Sequence, residues 1–143
     1  MAIRALADVN GTGPTCVAKP PSSSERRQRR IMAALGLAGG PLPRVDDETL
    51  SRYYDYLSAN LTFPFAAHYP EPANAREEIQ FRCTVLELLD PSKYLGDLFD
   101  GIFCKTRKGE CEVNLPLIEL EVAHDSPNFH LIEDFWYWFW NWR

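Results

Sequence analysis

The stretch Leu98-Phe99-Asp100-Gly101-Ile102-Phe103-Cys104-Lys105-Thr106-Arg107-Lys108-Gly109-Glu110-Cys111-Glu112-Val113-Asn114-Leu115-Pro116-Leu117 decides the fold. Residues 98–106 and 110–117 have the composition of strands, and the short glycine-containing link Arg107-Lys108-Gly109 joins them as an antiparallel hairpin. Upstream, residues 78–89 set Ile79, Phe81, Cys83 and Val85 on one face and Gln80, Arg82 and Thr84 on the other, the period of a strand, which Asp90-Pro91-Ser92-Lys93 closes. Downstream, residues 118–122 either continue the hairpin's second strand or begin a new one. Residues 128–143 carry Leu131, Phe135, Trp138 and Phe139 at helical spacing, with Glu133 and Asp134 near the N-terminal turn. Before the strands, Asp46-Asp47-Glu48-Thr49 opens a helix whose apolar positions are Leu50, Tyr53, Tyr54 and Leu57 and whose stop is Asn60. Phe63-Pro64-Phe65 then reads as extended anchors ahead of a polar connector holding Pro70 and Pro72. These elements predict an α+β fold: a small SH3-like, partly open antiparallel β-barrel with an N-terminal helix and an aromatic C-terminal helix.

A chain of 143 residues has room for one ordinary domain, and 45% apolar content is enough to give it a core. Its net charge of −5 conceals a division, since residues 1–43 carry +4 and residues 44–143 carry −9. The first part is rich in Gly, Pro, Ser, Ala and Arg and reads as a disordered basic leader, in which residues 24–37 are capable of a transient helix capped by Ser24. The second part reads as the acidic domain. Charge of that sign repels phosphate backbones and attracts cations, so no nucleic-acid partner is expected. There is no apolar run of membrane-spanning length and no export signal, which predicts a cytoplasmic protein without a transmembrane segment. The four cysteines, Cys16, Cys83, Cys104 and Cys111, form no CxxC pair and have no histidines at zinc spacing; they read as reduced thiols.

Carboxylates are the functional group present in excess, and they cluster as Asp97 with Asp100, Glu110 with Glu112, Glu119 with Glu121, and Asp125 followed by Glu133 and Asp134. Side chains at i and i+2 of a strand share a face, so Glu119 and Glu121 repel each other unless a cation lies between them. Calcium takes six to eight oxygens and suits such a patch. The same alternation also describes the wetted face of a strand packed through Leu117, Ile118, Leu120 and Val122. No EF-hand loop, phosphate-binding loop or nucleophile elbow is present, and no pocket is marked for acid–base work, so no enzyme is expected. The tail Phe135-Trp136-Tyr137-Trp138-Phe139-Trp140-Asn141-Trp142-Arg143 has aromatic side chains on every side of a helix. One face meets the core, and the rest can bind a protein partner or a second copy.

Phe63-Pro64-Phe65-Ala66-Ala67, residues 101–109, Leu115-Pro116-Leu117-Ile118-Glu119-Leu120-Glu121-Val122, and the run from Asn128 through Leu131-Ile132-Glu133-Asp134-Phe135 to Trp138-Phe139-Trp140-Asn141 occur in this order. Together they resemble the bacterial calcium-binding protein family of the CcbP type. The resemblance implies an intracellular calcium buffer or sensor, with calcium held by Glu119, Glu121, Glu133 and Asp134; Asp97 and Asp100 join this set from the clustering alone. The alternative is a metal-independent SH3-like interaction module that uses exposed aromatics.

Overall fold

A computed structural model describes residues 22–72, 78–93 and 100–143. Its elements are α1 (Ser23–Ala34), α2 (Asp47–Asn60), β1 (Phe65–Pro72), β2 (Glu78–Leu88), β3 (Phe103–Lys108), β4 (Cys111–Pro116), a 3-10 turn (Leu117–Glu119) and α3 (Phe129–Asn141). Among the described residues the fold is α+β, with three helices and an open antiparallel sheet in the order β1-β2-β3-β4.

The predicted hairpin forms, but its link is shorter than expected: Arg107 and Lys108 belong to β3, Lys108 lies opposite Cys111, and the turn is Gly109-Glu110, with Gly109 in the left-handed region at φ 63°. β2 pairs with β3 on one side and β1 on the other. β1 falls where a polar connector was expected. Prolines are tolerated on an edge strand, because only one side of its ladder must be hydrogen bonded, and Pro70 and Pro72 lie opposite Gln80 and Glu78. Residues 118–122 are neither of the strands expected: they pass through the 3-10 turn and then touch β1 in a single bridge between Glu121 and His68.

α2 starts where the acidic run predicts. The Asp46 carboxylate accepts from the Thr49 N–H at 2.8 Å, and Leu50, Tyr53 and Leu57 face inward. α3 buries Ile132, Phe135, Trp138 and Phe139. Its entry is fixed by Asn128, which is almost fully buried and exchanges two hydrogen bonds with the Thr62 backbone, N–H to Oδ1 at 2.8 Å and Nδ2 to O at 2.9 Å. Gly101, at φ 70°, lies flat against Phe139; a Cβ there would come within 2.9 Å of the ring, so both backbone and packing require glycine.

The expected disordered leader needs correction over residues 22–43; residues 1–21, Cys16 among them, lie outside the described residues. α1 begins at a capping box formed by Ser22 and Glu25, not at Ser24, and it buries Ile31, Met32 and Ala34. Leu35 and Leu42 continue the buried seam, the Pro43 carbonyl accepts from Trp138 Nε1 at 3.0 Å, and Val45 N–H donates to the Trp142 carbonyl at 2.7 Å. The packing therefore has no boundary at residue 43. The basic helix is built into the core that the acidic part was expected to form alone.

Cys83 and Cys104 are buried free thiols, and burial pushes the pKa of both upward. Cys111 is exposed and free. Cys104 lies opposite Leu115 across the hairpin.

Candidate metal-binding face

Glu119 ends the 3-10 turn and is exposed, Leu120 is buried, and Glu121 is exposed again. The i, i+2 relationship predicted for this pair thus survives although the segment is not a strand. Two main-chain hydrogen bonds to β1 hold it in place: His68 N–H to Glu121 O at 2.8 Å and Glu121 N–H to His68 O at 2.9 Å. Glu119 reaches back to Tyr69, whose hydroxyl has a raised pKa, first from burial and then from the charge and hydrogen bond of Glu119.

From Glu121 the surface falls into a cleft of about 420 Å³ between residues 120–124 and the outer side of α3. Its floor is apolar, with Leu120, Val122, Phe129 and Ile132, and its rim carries Glu121, Glu133 and Arg27. Two of the predicted ligands, 12 positions apart in sequence, therefore share one opening.

Asp134 points elsewhere. Its side chain is only 6% exposed, and Arg30 grips it in a bidentate pair, Nε to Oδ2 at 2.7 Å and Nη2 to Oδ1 at 3.1 Å. Arg27 Nε stands 3.5 Å from Oδ1, while its Nη2 donates to Glu133 Oε1 at 3.1 Å. The Asp134 hydrogen bond in turn raises the pKa of Arg30. Charge-assisted bidentate pairing of this kind takes up the carboxylate oxygens that a cation would need. Glu133 keeps its second carboxylate oxygen outside the pair with Arg27 and is more than a third exposed.

Asp100 is half-buried at the start of the described segment leading into β3, and Asp97 lies outside the described residues. Of the remaining clustered acids, Glu112 pairs loosely with Lys105 and Arg107 at 3.7 and 3.9 Å. Among the described residues, no three His, Cys, Asp or Glu side chains gather as a metal-holding group. The structure thus brings Glu121 and Glu133 together, keeps Glu119 next to Glu121, and commits Asp134 to α1. Sequence reasoning missed Arg27 and Arg30, the internal counter-ions of this face. Their signal, the Arg-rich run Glu25-Arg26-Arg27-Gln28-Arg29-Arg30, was visible, but their partners lie more than 100 residues away.

A family profile described as calcium binding matches residues 44–139. The crystal structure of Anabaena CcbP superposes with a TM-score of 0.55 at 20% identity, covering 89% of this chain and 97% of the other. A calcium-binding protein in its calcium-binding form superposes with a TM-score of 0.58, also at 20% identity, over 82% and 94%. No curated protein matches significantly. At this identity the two structures speak for the fold.

Proposed function

Since the chain belongs to the CcbP calcium-binding family, we propose that it binds calcium through carboxylates of the face just described, as a cytoplasmic buffer or sensor rather than an enzyme. The observation that carries this is the shared cleft: Glu121 and Glu133 line one opening, with Glu119 two residues before Glu121 and outside the lining. Carboxylate oxygens are the hard donors calcium prefers, and water or main-chain carbonyls complete its shell. A cation between like charges also removes their repulsion, which couples binding to stability. Asp100 and Asp97 belong to the same reading as outlying donors, and Asp134 becomes a donor only when its arginines withdraw. We also take the His68–Glu121 bridge as the seam at which a partly open SH3-like barrel begins to close, which would place the acidic pair on the seam.

The test is the thermal midpoint with chelator, calcium or magnesium at matched ionic strength, because screening alone relieves acidic repulsion. Calcium at a hundredfold excess over its Kd should add about 2.7 kcal/mol to the unfolding free energy. Magnesium, which gives up its water reluctantly, should add far less. Glu119→Gln together with Glu121→Gln should abolish the calcium increment. Normal calcium binding by that double variant would remove these residues from the site, and equal shifts with both ions would reduce the face to a solvated surface.

One observation favours a second reading. Trp136 and Trp140 are 47% and 43% exposed with their rings 6.3 Å apart, an uncommon amount of aromatic surface for a solvated helix. A metal-independent interaction module would associate through them. It predicts concentration-dependent self-association or partner binding that Trp136→Ala or Trp140→Ala weakens and chelator leaves untouched; a chain that sediments as a monomer at high concentration and binds no partner through these residues would count against it.

A further inference from the structure

Arg27 is the cation that the structure itself brings to the acidic cleft. It lines the same opening as Glu121 and Glu133, it donates to Glu133, and its guanidinium lies 4.8 Å above the Tyr137 ring. Its hold is incomplete: Nε is buried without a hydrogen-bond partner and meets Asp134 only as a 3.5 Å ion pair. Arg30, by contrast, fully engages Asp134. α1 therefore brings two positive charges to two of the carboxylates assigned to calcium, one tightly and one loosely, and it lies outside the span matched by the family profile.

We propose that α1 is a built-in competitor for the calcium face, so that docking of its arginines and occupancy by calcium are mutually antagonistic. This rests on the calcium reading above. The physical basis is direct. A divalent cation beside Glu121 and Glu133 would repel a guanidinium sharing the same rim, and each charge weakens the other's binding by the same free energy, because coupling between sites is reciprocal. Arg27, the less satisfied of the pair, yields first. Calcium then loosens the N-terminal part of α1, while Ile31 and Leu35, fully buried farther along, keep the helix anchored. When calcium is scarce, Glu133 and Asp134 keep arginine as their counter-ion.

The experiment uses the full chain, titrated calorimetrically with calcium after chelator treatment, in wild type, Arg27→Gln and Arg27→Lys. Arg27→Gln should bind calcium about fivefold more tightly, the lower end of typical coupling, and Arg27→Lys should stay near wild type. In parallel, saturating calcium should speed amide hydrogen exchange in the first two turns of α1 in wild type. Unchanged or weaker affinity in Arg27→Gln, with wild-type calcium binding intact, overturns the competition and leaves the calcium reading standing. Absence of calcium binding in every variant removes both. Should Arg27→Gln fail to fold, wild-type exchange decides, and α1 amides indifferent to calcium overturn the proposal.

Discussion

Trp138→Ala is expected to cost about 3–5 kcal/mol of unfolding free energy, the range for deleting a fully buried large aromatic side chain. The indole is wholly inaccessible and packs 5.2 Å from Tyr53 of α2 and 6.1 Å from Phe135, centroid to centroid. It also donates from Nε1 to the Pro43 carbonyl at 3.0 Å. One side chain thus joins α2, α3 and the link from α1, so the cavity left behind has walls from three segments and cannot collapse easily. Trp138→Phe separates the two contributions: it restores most of the apolar volume but leaves the Pro43 carbonyl without its donor, a loss of about 1–3 kcal/mol if the group stays dry. Urea unfolding followed by circular dichroism checks both. A Trp138→Ala cost under about 1 kcal/mol would mean that the link over residues 35–45 does not close over α3 as described, because a loss that small belongs to partly exposed positions.

What the sequence disclosed, and what it hid, follows from how local each cause is. α2 was legible because its start signal and its apolar stripe lie within one stretch, and the β3–β4 hairpin because Gly109 marks the turn between two β-rich runs. β1 was hidden by its prolines. They argue against a central strand, and only the topology reveals that the strand sits at the edge of the β1-β2-β3-β4 order. α1 was hidden by composition: four arginines between Arg26 and Arg30 outweighed the Ile31, Ala34, Leu35 stripe that the structure buries. The candidate site divides in the same way. Exposed carboxylates at Glu119 and Glu121 follow from alternation around a buried Leu120, a local pattern. That Glu133 opens onto the same cleft while the adjacent Asp134 is sealed under α1 depends on which way two consecutive helical residues point, about 100° apart, and on a partner helix that no local pattern announces. The acidic and basic halves of the chain looked like separate parts because their charges differ in sign. In the docked helix that difference becomes ion pairs, Arg27 with Glu133 and Arg30 with Asp134.

Whether charge or apolar burial holds α1 in place is open to a stability cycle. Arg27→Gln combined with Arg30→Gln leaves Asp134 as a buried carboxylate without a counter-ion. Breaking a fully buried pair costs about 3–5 kcal/mol. Here the guanidinium side chains are 32% and 47% exposed, and solvent already screens part of their attraction, so about 2–3 kcal/mol is expected. Adding Asp134→Leu to that background removes the orphaned charge and should return stability to within about 1 kcal/mol of wild type, since an apolar residue of similar volume substitutes for buried ion pairs at little cost. Asp134→Leu alone should be mild as well, because both arginines can turn toward water. The pattern of a costly double variant rescued by a third substitution would show that the arginines are there to satisfy Asp134 while Ile31 and Leu35 supply the adhesion. If the triple variant is as unstable as the double, the ion pairs themselves fasten α1, and releasing Arg27 to calcium would then detach the whole helix, not only its first turns.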